Sequence, residues 1–263
     1  MQGRNTFAAL GALTLGISLW APGASADQIG PYSGRSLTLG QGTFRIDGGP
    51  PDYGYFHPGN PQLLNENRGV RLLSTEQGET SWLGVGLAYG GTDDIEVGGL
   101  LVPLVLGPDT RVDDLEFYGR FRFLREKFEM GAQVTMQIPA NTAFGLGLGL
   151  PMLAHATSRM RIDTGFELEM LFWDDGARVS LDGPLAFTWD VGQMGFLGLR
   201  TGLYVGDMDS LAIPAGMHGG VVVADGHLDI GGWFMWPALL GTGRDDPFDL
   251  RTFQVGFGIN GRT

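Results

Sequence analysis

Two pairs of short segments carry most of the ionisable side chains that a protein interior could use. In LEFYGRFRFL (115–124), Glu116, Arg120 and Arg122 hold alternate positions, and in FEMGAQVTMQI (128–138) Glu129 and Gln133 hold the matching ones. In MRIDTGFELEMLFW (160–173) they are Arg161, Asp163, Glu167 and Glu169. Past the turn DDG stand Arg178 and Asp182. Guanidinium and carboxylate groups on one face of neighbouring strands have two uses. They line a narrow passage and set its selectivity, or they pair into a rigid salt-bridged plug. The residue types leave both open.

Other chemistry is thin. The four histidines, His57, His155, His218 and His227, stand in no G-x-S-x-G or H-E-x-x-H context. His218 and Asp229 fall on neighbouring segments, which keeps a membrane-embedded hydrolase as a third reading. Asp93, Asp94 and Glu96 could gather a cation, but such clusters are ordinarily solvated turns. GDMDSL (206–211) and GRDDPFD (243–249) lack the ligand spacing of a calcium loop. GLGLGL (145–150) is followed by no helix that could hold a dinucleotide. No catalytic, metal or cofactor site is expected.

The charged positions share a face only if their segments are strands. From Phe128 to Ile138 the apolar residues Phe128, Met130, Ala132, Val134, Met136 and Ile138 alternate with polar residues or glycine. Phe144, Leu146, Leu148 and Leu150 alternate with glycines, and 160–173 repeats the pattern. Similar runs span 36–47, 81–90, 94–106, 178–189, 193–205, 216–224, 228–236 and 250–260, for about twelve strands. Many have the nine to eleven residues that a tilted strand needs to cross a bilayer. Residues 48–80 read as a long loop with one short strand inside it. Further long connections are expected at 206–215 and 237–249, with short ones between, as in a barrel with long outer and short inner turns.

Composition favours lipid over a soluble sandwich. Of 263 residues 17% are charged, 45 are glycine and none is cysteine. The charged share is below the roughly 25% of soluble domains. The polar faces are too poor in charge for a water-facing exterior. The apolar faces are too extensive for a core, and Phe44, Trp82, Tyr89, Phe172, Trp173, Trp189 and Trp236 sit near strand ends, where interfacial girdles belong. The net charge of -12 argues against a nucleic-acid partner. The lack of cysteine excludes a disulfide framework. At the N-terminus Arg4, an apolar stretch (TFAALGALTLGISLW) and Ala24-Ser25-Ala26 have the form of a secretory signal peptide. Residues 1–26 are expected to be cleaved, leaving 27–263 as one domain.

YGGTDDIEVGGLLVPL (89–104) resembles a strand–turn–strand segment of Gram-negative outer-membrane proteins of the phenol meta-degradation transporter type. LEFYGRFRFL is similar to the strand that follows it. The resemblance covers about a quarter of the chain. It implies a barrel of about twelve strands and a transport role, and it brings no catalytic residues. One departure is the ending, where NGRT follows Phe257 and Ile259 in place of a terminal aromatic.

The expectation is therefore an all-β chain: a single antiparallel up-and-down transmembrane β-barrel in the outer membrane. It would be placed by the barrel-assembly machinery, surrounded by lipid, and would pass small solutes. The alternative is a non-catalytic structural or recognition barrel with a closed lumen.

Overall fold

The computed structural model describes residues 30–48, 69–75, 78–107, 109–140, 143–208, 210–242, 248 and 250–263. The expected signal peptide, His57 and most of GRDDPFD lie outside the described residues. The strands are β1 (Phe44–Gly48), β2 (Gly69–Thr75), β3 (Gly78–Thr92), β4 (Ile95–Gly107), β5 (Arg111–Val112), β6 (Leu115–Leu124) and β7 (Phe128–Ile138). They continue as β8 (Phe144–Thr157), β9 (Met160–Trp173), β10 (Gly176–Val191), β11 (Gly195–Gly206), β12 (Ser210–Val223), β13 (Leu228–Gly241) and β14 (Phe253–Arg262). All pairings are antiparallel, and the sheet closes on itself because β14 pairs with both β1 and β2, each of which also pairs with β3.

β1 and β2 occupy a single strand position. Asp47 lies opposite Gly86 and Gly69 lies opposite Gly84, so the ladder on β3 runs on from one piece to the other. β5 is a two-residue appendage on β4. The fold is thus a closed 12-strand antiparallel barrel. A 3-10 turn at Ala224–Gly226 is present, and no α-helix occurs among the described residues.

Its faces are inverted relative to a soluble protein. On β7 Val134 is 55% exposed and its neighbour Gln133 is 2% exposed. Leu148, Leu150, Phe166, Leu197, Leu199 and Phe257 also point outward. Each such side chain would lose roughly 1.5–3 kcal/mol of burial energy by facing water. A hydrocarbon surround removes that cost, and a closed sheet leaves no backbone group unpaired in it. Aromatics collect at two levels. Phe44 and Tyr89 meet at 4.6 Å near one end, where Trp189 also lies exposed, and Phe144 and Phe172 meet at 6.1 Å near the other, beside Trp173. These levels match the two interfaces of a membrane.

The turns after β3, β6, β8, β10 and β12, with residues 30 and 263, lie at one end, called the inner end below. Expectation and structure agree in detail for β6, β7 and β9. Four segments differ. Residues 36–43 are not strand; strand pairing begins only at Phe44. The connection expected at 206–215 is mostly strand, because β12 starts at Ser210, and the one expected at 237–249 shrinks because β13 continues to Gly241. Within 48–80, strand is already established from Gly69.

Candidate functional site

The barrel interior is built from the inward positions of alternating strands. Glu116, Arg120, Glu129, Gln133, Arg161, Asp163, Glu167 and Glu169 are all buried within it. Arg122 and Asp182 are partly covered. Arg178 lies elsewhere: it is exposed at the outer rim, 5.1 Å over the Trp173 ring and 3.9 Å from Asp175. As the third residue of β10, it stands beyond the last layer of lumen side chains.

Charge is layered along the barrel axis. Toward the outer end Glu167 has Asp182, Glu169 and Glu116 as electrostatic neighbours, and its Oε1 accepts from Thr135 Oγ1 at 3.2 Å. Gly147 makes room there, because a Cβ on it would collide with Glu167 Oε1. Toward the inner end guanidinium groups join the carboxylates. Arg120 donates to Gln133 Oε1 at 2.8 and 3.0 Å, and Arg161 forks onto Asp163, with Nε 2.9 Å from Oδ2. Arg200 donates to His218 Nδ1 at 3.2 Å, and His218 Nε2 lies 3.0 Å from Thr188 Oγ1. His218 therefore lies with Arg200 and Thr188 and opposite Trp233, whereas Asp229 stands opposite Val222.

The feature that strand patterning missed is a strap. Residues 30–43 enter near the β8–β9 turn and cross the inner mouth to β3 before turning into β1. The Tyr32 ring stacks on Phe196 at 4.2 Å, and Leu39 packs with Ala88 and Tyr118. Gly90 admits the strap, since a Cβ there would overlap the Gly40 carbonyl. A segment in this position has few strand neighbours, so its buried N–H groups need other acceptors. The wall supplies carboxylates. Asp190 accepts from the N–H groups of Tyr32 at 3.0 Å and Ser33 at 2.7 Å. Glu129 accepts from the Leu37 N–H at 2.9 Å and the Ser36 hydroxyl at 2.7 Å. Glu96 accepts from the Leu39 N–H at 2.7 Å and also binds the Tyr118 hydroxyl. Asp229 holds the Arg35 guanidinium by two bonds of 2.7 and 2.5 Å. Arg120 completes the set by donating to the Leu37 carbonyl at 2.7 Å.

The four carboxylates share one depth. Glu96, Glu129 and Asp229 are the second residues of β4, β7 and β13, and Asp190 is the last but one of β10. That spacing is the signal that could have revealed the strap: inward acids one step from the inner turns, in a wall otherwise rich in glycine. Asp93, Asp94 and Glu96 do not converge on a cation. Glu96 serves the strap, while Asp94 binds Arg122 at 3.2 Å and also Arg125. Among the described residues no group of three or more such side chains is arranged to hold a metal ion.

No protein-family model matches the chain, and no curated protein matches it. Solved structures do. The chain resembles the NanC porin with a TM-score of 0.57 and 9% identity, over 73% of this chain and 98% of that one. A second porin overlaps 80% of this chain and 66% of its own at 11% identity, with a TM-score of 0.39 that carries no argument. At such identities the first likeness establishes the barrel fold that the strand pairings already display.

Proposed function

We propose that this chain is an outer-membrane barrel that passes small solutes, and that the strap is its closing element. The observation that carries the reading is the construction of the inner mouth. What blocks it is a separate segment attached through hydrogen bonds and side-chain contacts, while the wall behind it is polar and charged as a conducting lumen requires. The NanC likeness and the resemblance of residues 89–104 and 115–124 to phenol meta-degradation transporters support the same class. The signal-like residues 1–26 and the lipid-suited exterior support export to the outer membrane through the barrel-assembly machinery.

A second reading has its own support. Thr135 and Glu167 are 0% and 1% exposed at mid-height, so the lumen is tightly filled with the strap in place. A permanently closed structural or recognition barrel would look the same. Planar-bilayer recording separates the two. The refolded chain is expected to conduct rarely, and an Asp190→Asn, Glu129→Gln double variant is expected to open in steps far more often. Silence from both, with insertion demonstrated by protease resistance, would leave the closed scaffold.

A further inference from the structure

Between the strap and the wall formed by β14, β1, β6 and β9 lies a cavity of about 280 Å³ at the inner end. Five arginines line it: Arg35, Arg45, Arg120, Arg161 and Arg262. Among the described lining residues the one side-chain carboxylate belongs to Asp225, in the turn after β12, and Thr263 also lies in the lining. The acids that balance these cations stand in the wall beside them and already have several duties. Asp229 holds both Arg35 and Arg262, the latter at 3.0 Å. Glu96 lies 3.5 Å from Arg45 while also binding the strap amide of Leu39 and the Tyr118 hydroxyl. Asp163 is forked by Arg161. The cavity is thus lined by guanidinium groups drawn from the strap and from four wall strands. Guanidinium forks match carboxylate and phosphate oxygens in pairs, and a site shielded from bulk water strengthens each contact.

We infer that this cavity binds a small, multiply charged oxyanion, a phosphate or a short dicarboxylate, and clamps it between strap and wall. The volume is at the small end of ligand pockets, which run from about 300 Å³ upward, so an oligosaccharide or peptide is too large. The inference rests on the solute-passing reading and gives it a solute class: the anion is held at the inner mouth where passage is blocked.

Calorimetry of the refolded full chain in detergent tests this, with inorganic phosphate titrated against chloride at matched ionic strength and succinate as a second probe. Saturable one-to-one binding of either is expected. It should weaken at least tenfold in Arg45→Gln and Arg120→Gln, weaken less in Arg45→Lys, which keeps charge without the planar fork, and stay unchanged in Arg178→Gln at the outer rim. Folding of each variant is read from its heat-modifiable mobility. Should the glutamine variants not fold, a cysteine replacing Ser33, in a chain that has none of its own, reports instead. Phosphate should slow its labelling by holding the strap shut. No saturable binding tighter than about 1 mM, equal binding across the arginine variants, or labelling indifferent to phosphate overturns the inference. Because calorimetry needs no current, a silent bilayer with intact binding would count against the pore alone.

Discussion

Asp190 is the anchor whose removal has the most direct reading. Its two carboxylate oxygens accept the Tyr32 and Ser33 amides at 3.0 and 2.7 Å, and Ser33 is 1% exposed. Asp190→Ala would leave two buried N–H groups without this acceptor, each costing about 1–3 kcal/mol. Taking about 3 kcal/mol for the pair, the equilibrium between docked and released strap should shift about a hundredfold, at 1.4 kcal/mol per decade. Asp190→Asn keeps one acceptor oxygen and should shift it about tenfold. The assay is maleimide labelling of Ser33→Cys in refolded barrels, clean because the native chain has no cysteine. Where reclosing outpaces reaction, the labelling rate follows the released population. The order expected is Ala above Asn above the native acid. Rates within about twofold across all three would refute the account of how the strap is held, since the energies above translate directly into rate.

Three further outcomes follow from the two faces of the wall. Leu148→Arg, on an outward position near the middle of β8, should lower stability in liposomes by about 2–4 kcal/mol; a neutral result in urea unfolding would contradict the lipid-facing exterior. Glu167→Gln should keep the Thr135 contact while replacing one of several neighbouring buried carboxyl groups with an isostere that cannot ionise. It is expected to raise the unfolding midpoint, by on the order of 1 kcal/mol, whereas a fall would show that the wall needs that charge. Arg178→Gln should change stability by less than about 0.5 kcal/mol, because its ion pair is exposed and long, and a larger loss would move it into the load of the wall.

The wall was legible in the sequence because a strand repeats every two residues and only one face meets lipid. β9 shows this best: Met160, Ile162, Phe166, Leu168, Met170 and Phe172 against Arg161, Asp163, Glu167 and Glu169 fix both its bounds and its facing. β12 was harder, since Pro214 and the Gly216, Gly219 and Gly220 positions mimic a loop while the pairing to β11 and β13 makes them strand. The strap was not legible from its own residues. Leu37 and Leu39 alternate with Ser36 and Thr38 as a strand would, and nothing local tells them that their amides will bond to Glu129 and Glu96. That information sits about sixty and more residues away, in acids whose common depth appears only once the barrel is closed. The arginine-lined cavity has the same origin, for Arg35, Arg45, Arg161 and Arg262 are gathered by closure and by the strap. Arg178, at the outer rim, shows that alternation specifies a face and is blind to height along the axis.

The split strand has a consequence for how the wall yields. Along most of the wall each stave is one continuous strand, as in β9 with β10, and where the register shifts, as between Ile213 and Ala215 of β12, the strand itself runs on. At the seam β14 meets a short β1 below and a separate β2 above. Either half of the seam can unzip without dragging the other. Local opening draws on the least cooperative part of a structure. Amide hydrogen exchange should therefore be fastest along β14 and its two partners, and a lateral parting of the cylinder, if force or lipid strain demands one, would begin there.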